Sequence, residues 1–206
     1  MTRRFITLLF AAVLALTAGA QNASKAKSIL DKTAKIVSNK GGASANFKIT
    51  GSNTRALSGK ISIKGNKFQA TTPDGSVWYN GKTQWAYMTD TEEVNVSTPT
   101  DAQQAQMNPY KFITLYQKGY DLSMKTLTGA YEIHLKAKDA KDAKQSIKEM
   151  YITVNSKTYL PSLVKMQQGG KWSTISISNF KAQNLSDALF TFNPKQYPDA
   201  EVIDLR

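Results

Sequence analysis

The chain has no cysteine and a single histidine among its 206 residues. The missing cysteines exclude disulfides, thiolate nucleophiles and cysteine-ligated metals. They also exclude the lipid-bearing cysteine that a lipoprotein carries just after its cleavage site. With one imidazole and no thiol, a transition-metal site would have to rest on carboxylates, which suit such ions poorly. No G-x-S-x-G or H-E-x-x-H pattern occurs, and no glycine-rich loop opens a helix to cradle a phosphate. His134 falls on the polar side of its predicted strand and reads as a solvated surface residue. Glu92 and Glu93 are neighbours in a turn and point apart, so they do not form an acid/base pair. Asp139 and Asp142 alternate with lysines in AKDAKDAKQ, a solvated charge run. We expect no enzyme, no metal and no cofactor.

Two further absences matter. No Pro/Gly/Ser-rich linker divides the chain, so residues 21–206 read as one domain. The formal charge is +12, two units less once Arg3 and Arg4 are removed, yet the lysines are scattered and no Arg-rich cluster forms. That pattern favours solubility and argues against a nucleic-acid partner.

The N-terminus carries positive information. Arg3 and Arg4 precede an apolar run from Phe5 to Leu16, and Ala18-Gly19-Ala20 follows. These are the charged region, apolar region and small-residue cleavage site of a secretory signal peptide, predicted over 1–20. The run is shorter than the roughly 20 apolar residues a spanning helix needs. The mature chain is therefore expected in an exported compartment.

Residues 24–39 predict an amphipathic helix, capped by Ser24 and stopped by Gly41-Gly42, with Ala26, Ile29, Leu30, Thr33, Ile36 and Val37 on one side. The period then changes to two. Ala45, Phe47 and Ile49 alternate with polar neighbours, Ile61 and Ile63 follow the turn-rich GSNTRALSG, and Phe68 sits on a strand over 67–72. Residues 101–119 break the pattern. Asp101 offers an N-cap, and Tyr110, Ile113 and Thr114, flanked by Phe112, Leu115 and Tyr116, suggest short helical pieces on a mobile connection. Strands return at Tyr120, with Tyr131, Ile133 and Leu135 alternating, and then at 147–154, 158–167 and 171–180. Pro161 removes a ladder donor and so predicts an edge or bulge. About ten strands with two or three short helices predict an α+β fold built on a curved antiparallel sheet, an open or incomplete β-barrel.

The most informative stretch is GSVWYNGKTQWAYMTDTEEVNV, residues 75–96. Asn80-Gly81 predicts a two-residue turn that pairs Tyr79 with Lys82 and Ser76 with Trp85. Alternation puts Trp78, Trp85 and Tyr87 on one face, joined by Val94 and Val96 after a four-residue turn. So much aromatic surface needs cover, from the protein's own core or from an apolar ligand. A curved sheet under few helices leaves apolar surface that an acyl chain can fill, at about 0.8 kcal/mol per buried CH₂.

Four features together resemble the periplasmic outer-membrane lipoprotein carrier proteins (LolA-type). They are the signal without a lipid-bearing cysteine, the first helix leading into SANFKIT, the run LSGKISIKGNKF followed by VWYNGKTQWAYMTDTEEVNV, and the closing FTFNPKQYPDAEVIDLR. Asn80, Gly81, Lys82, Trp85, Tyr87 and Val94 match the family's hairpins. Phe190, Phe192, Pro194, Ile203 and Asp204 match its last segment. The resemblance implies short helices forming a lid over an apolar cavity that holds lipoprotein acyl chains. It implies three kinds of partner: acylated lipoproteins, an inner-membrane ABC-type lipoprotein-releasing transporter, and an outer-membrane acceptor or the membrane itself. The implied cavity residues are Phe47, Ile61, Ile63, Phe68, Trp78, Trp85 and Tyr87, with Met150, Ile152 and Val154 across from them.

The family's Arg-Pro before the strand-pair Phe is Lys64-Gly65 here, which makes Lys64 the corresponding lid-latch candidate, with a point charge in place of a planar fork. The aromatic two residues beyond that Phe is Ala70. Two other readings share the scaffold: an envelope sensor or regulatory domain, and a carrier of another amphiphile such as a glycolipid.

Overall fold

The structure, a computed structural model, describes residues 2–52, 54–100, 103, 114–139 and 147–206, with the backbone alone for 2–19 and 54. One long helix, α1 (Thr2–Val37), precedes the strands. The sequence predicts a start at Ser24, but the helix runs unbroken through the apolar segment. Leu and Ala dominate that segment and no proline interrupts it, so propensity favours continuation. No described helix is long and apolar enough to cross a membrane.

Twelve strands form one sheet among the described residues. The first meander is β1 (Ala43–Gly51), β2 (Thr54–Lys64), β3 (Lys67–Thr72), β4 (Gly75–Tyr79), β5 (Gln84–Met88) and β6 (Glu93–Ser97). The second is β7 (Tyr120–Leu127), β8 (Ala130–Ala137), β9 (Ile147–Asn155), β10 (Pro161–Gln168) and β11 (Lys171–Ala182). β1 pairs with β11 and joins them, and β12 (Glu201–Asp204) closes the far edge by pairing with β6. The strand order is β12-β6-β5-β4-β3-β2-β1-β11-β10-β9-β8-β7, an open sheet with edges at β12 and β7. The β12–β6 pair is parallel, so the sheet is antiparallel except at that edge.

Several local expectations change in detail. The β4–β5 loop has four residues, and Tyr79 pairs with Gln84 and Trp78 with Trp85. The reason is the Asn80 side chain, whose Oδ1 accepts from Lys82 N at 3.0 Å and Thr83 N at 2.9 Å, while Thr83 O accepts from Asn80 N. A two-residue change of register keeps every side chain on its face, so Trp78, Trp85, Tyr87, Val94 and Val96 do share one. Pro161 opens β10, and the β9 register shifts between it and Leu163, as its missing donor predicts. The segment GSNTRALSG is mostly strand, since β2 begins at Thr54. Asp101, the expected helix through Tyr110, Phe112 and Ile113, and the middle of the charged 137–145 loop lie outside the described residues.

Candidate functional site

The second half of α1 lies on one face of the sheet. Ala26, Ile29 and Leu30 bury against Ile133, Leu135, Met150, Ile152, Val154, Val164 and Met166. One turn further on, Ala34 and Val37 meet Ile63, Phe68 and Tyr79. Thr33 is fully buried between these groups, and its hydroxyl reaches the carbonyls of Ile29 at 3.1 Å and Tyr159 at 3.0 Å. The helix is also tied at its side. Tyr116, in the 3-10 turn Leu115–Gln117, donates to Asp31 at 2.6 Å, and Lys27 pairs with the same carboxylate at 2.9 Å. The Tyr116 hydrogen bond, aided by Lys27, holds the Asp31 carboxyl below its ordinary range.

Between the two buried groups the face is apolar but only half covered. Register places Val77, Ala70, Ile61 and Ala45 in one row across β4, β3, β2 and β1. A second row runs Leu57, Ile49, Ile175 and Val164, and Phe47 stands opposite Ile177 and Gly59. Phe47, Ile49, Leu57, Ile61, Val77, Ile175 and Ile177 are all half-buried. Gly59 has a specific role here. A Cβ on it would lie 2.2 Å from the Thr71 carbonyl oxygen and 2.8 Å from Phe47 Cζ, so its bare backbone gives the phenyl ring a bed.

The ten cavity residues expected from the sequence divide between the two faces. Phe47, Ile61, Ile63, Phe68, Met150, Ile152 and Val154 share the face of α1. Trp78, Trp85 and Tyr87 are on the other. Phe68 pairs with Tyr79 and Gln69 with Trp78, so the tryptophan points away from the phenylalanine. Their cover is the C-terminal segment of the chain itself. Trp78, Val94, Val96 and Phe192 form a buried group with Trp85, Tyr87 and Tyr197 packed on it. The Phe192 and Tyr197 rings stand edge-on to Trp78 at 5.4 and 5.6 Å.

Lys64 also faces away from α1, because Ile63 beside it faces the helix. Its Nζ donates to the Leu185 carbonyl at 2.8 Å and pairs with Asp187 at 2.9 Å, and Lys67 pairs with Asp187 at 3.0 Å. In this structure Lys64 fastens the C-terminal strap, residues 185–200, on the face opposite α1. The two lysines hold the Asp187 carboxyl low.

His134 is not a free surface group. Its Nε2 lies 2.7 Å from Glu149 Oε1, its ring stacks on Tyr151 at 4.4 Å, and Tyr151 donates to the same carboxylate at 2.9 Å. The Tyr151 hydrogen bond is the main cause of a lowered Glu149 carboxyl, and Glu149 in turn raises the Tyr151 phenol. These groups satisfy one another. Among the described residues, no three His, Asp or Glu side chains are placed to hold a metal ion.

The half-buried members Ile49, Leu57, Val77, Ile175 and Ile177 were absent from the sequence-based set. Their alternation was visible. Their convergence required the pairing of β1 with β11, strands far apart in the chain that meet only through the register.

The family described as outer membrane lipoprotein carrier protein LolA matches residues 16–170. No curated protein sequence matches the chain. Among solved structures, an uncharacterized conserved protein from Thermus thermophilus is 18% identical with a TM-score of 0.59, over 87% of this chain and 99% of that one. MucB is 14% identical with a TM-score of 0.50, over 82% of this chain and 63% of its own. A LolA superfamily protein from Nitrosomonas europaea is 14% identical with a TM-score of 0.43, over 81% of this chain and 97% of that one. Residues 16–170 are most of the chain, and by that match this protein belongs to the outer membrane lipoprotein carrier protein LolA family.

Proposed function

We propose that the protein is a periplasmic carrier that shelters lipoprotein acyl chains on the α1-bearing face and moves them from the inner to the outer membrane. The observation that carries the reading is the half-covered apolar strip of Phe47, Ile49, Leu57, Ile61, Ile175 and Ile177, continuous with the buried groups on either side. An apolar strip that the protein's own helix covers only in part is a place where a ligand can complete the cover, and saturated chains would bind there by area removed from water. Of the seven expected residues on this face, Phe47 and Ile61 belong to the strip, and Ile63, Phe68, Met150, Ile152 and Val154 lie sealed under α1 on either side of it.

Residues 1–20 act as the export signal, so the mature chain is soluble in the periplasm. The carrier receives cargo from an inner-membrane ABC-type transporter and delivers it to an outer-membrane acceptor or to the membrane. It needs no cofactor and catalyses no reaction. The lid in this reading is the part of α1 beyond residue 20, tied at its side by Tyr116 of the Leu115–Gln117 turn.

Depletion of the protein tests the role directly. Lipoproteins destined for the outer membrane should accumulate in the inner membrane, and unchanged sorting would sink the carrier reading. Mass spectrometry of protein purified from its native envelope should find triacylated peptide. Free glycolipid there would instead mean a carrier of another amphiphile. A sensor on the same scaffold is the contrasting outcome, and it predicts an altered stress response with normal sorting.

A further inference from the structure

Five strands adjacent in the sheet, β3, β2, β1, β11 and β10, contain eight Lys or Arg and no Asp or Glu. Alternation turns six of the lysines away from α1, since their neighbours Ile49, Ile61, Ile63, Phe68, Val164 and Phe180 face it. The far face of the sheet is therefore cationic where the near face is apolar. Two of these lysines, Lys64 and Lys67, are matched by Asp187 of the strap, and Lys165 lies over the Trp172 ring at 4.8 Å. Lys60 and Lys181 are different. Both are exposed, neither has an ion-pair partner among the described residues, and both line an open groove of about 780 Å³ beside the strap.

The groove has a definite chemistry. Lys60 stands opposite Asn46, and Lys181 stands opposite Ser44, so β1 runs between the two charges. Two strand spacings across and two residues along β1 put their backbone positions roughly 12 Å apart. Amides from Asn46 and Gln69 line the floor, and Leu185 and Leu189 of the strap form one apolar edge. Side-chain amides offer donors and acceptors together, which is what an extended peptide backbone requires. Ammonium groups at that spacing match carboxylates, and the leucine edge receives an apolar side chain. A planar bilayer would meet the two exposed lysines but leave the amides of Asn46 and Gln69 between them unused.

We propose that this groove docks an acidic, extended peptide segment of a partner protein. It lies on the opposite face from the apolar strip, so the proposal stands whether or not the chain carries acyl groups. The probe is a fluorescein-labelled decapeptide of alternating Glu and Leu, followed by anisotropy on the full chain. It should bind, and binding should weaken as salt rises, because exposed charges are screened beyond about 8 Å at physiological ionic strength. The Lys60→Glu/Lys181→Glu variant should lose roughly tenfold or more in affinity. Lys48→Glu, on the same face but outside the groove, should stay within about twofold. A thermal melt of each variant checks folding, and Lys60→Gln/Lys181→Gln provides a milder change of the same sign. Three results would overturn the proposal: no binding of the Glu-Leu peptide, equal binding by the double variant, or equal binding of a Lys-Leu peptide. Binding only to phosphatidylglycerol vesicles, lost in the double variant, would also overturn it and reassign the groove to a membrane surface.

Discussion

The two faces of this sheet bury apolar side chains in different ways. On the α1 side the cover is incomplete. The helix seals Met150, Ile152 and Val154 at one end and Ile63 and Phe68 at the other, and leaves the aliphatic strip between them half exposed. On the far side the cover is the chain's own C-terminus, fastened by Lys64 and Lys67 and packed through Phe192 and Tyr197 onto Trp78. The residues that dominate the sequence by size are thus core. The part of the α1 face left partly exposed consists of one phenylalanine and several β-branched or leucine side chains. Large aromatics signal that a sheet face needs cover, and the partner that supplies it must be found in the structure.

The strongest way to break the contrast is to remove the strap's anchor. Phe192 is 8% exposed and touches Trp78, so Phe192→Ala should cost about 3 to 4 kcal/mol by lost burial and a residual cavity. Urea unfolding measures the loss, and Trp fluorescence of the folded variant should change as Trp78 gains solvent. Fatty-acid binding on the other face should be nearly unaffected in protein that remains folded. A large loss of affinity there would mean that the two faces are not independent.

Gly59→Ala attacks the other face through the backbone. The new methyl would meet the Thr71 carbonyl and the Phe47 ring, and crowding of this kind costs about 1 to 3 kcal/mol. Stability should fall by about 2 kcal/mol, and the shifted ring should also change the affinity for a fluorescent fatty acid. Stability unchanged by this substitution would show that β2 and β3 separate more easily than their register indicates.

A matched pair sharpens the comparison further. Ile177→Ser removes apolar surface from the strip, which should weaken fatty-acid binding about fivefold, near 1 kcal/mol. Trp85→Ala removes a larger side chain from the strap-covered face and should leave that affinity within about twofold. The reverse order of effects would place the ligand on the Trp face.

Much of this was legible in the strand pattern. The alternation around Phe47, Ile61, Tyr131 and Leu135, the Asn80-Gly81 turn and the shared face of Trp78 and Trp85 all follow from residue types. The two-residue difference at Asn80 did no harm, because pleat parity has a period of two. What failed was the parity of one hairpin relative to the next. β4 presents Trp78 and Tyr79 in succession, and both are buried, at 7% and 2% exposed. A strand covered on both faces has no polar side to mark its orientation, so the sequence does not say which ring joins Phe68. Tyr79 does so. The role of Lys64 was hidden for the same reason, since its face depends on that of Ile63.

The smallest effect concerns the side tie of α1, and its pH dependence has a definite sign. Asp31 is held below its ordinary value of 3.8 by Tyr116 first and Lys27 second. A carboxyl lowered in the folded state adds stability that is fully present above its unfolded pKa. That contribution is lost as pH falls through the lower folded value. The group is largely exposed, so screening limits its worth to about 0.5 to 1 kcal/mol. Tyr116→Phe should therefore reduce stability near neutral pH by about that amount, and the difference from the native chain should shrink steadily below about pH 4. Paired urea titrations at neutral and acid pH measure it. A difference that stays constant with pH would mean that Tyr116 acts through packing of its ring against the core under α1 and not through the hydrogen bond to Asp31.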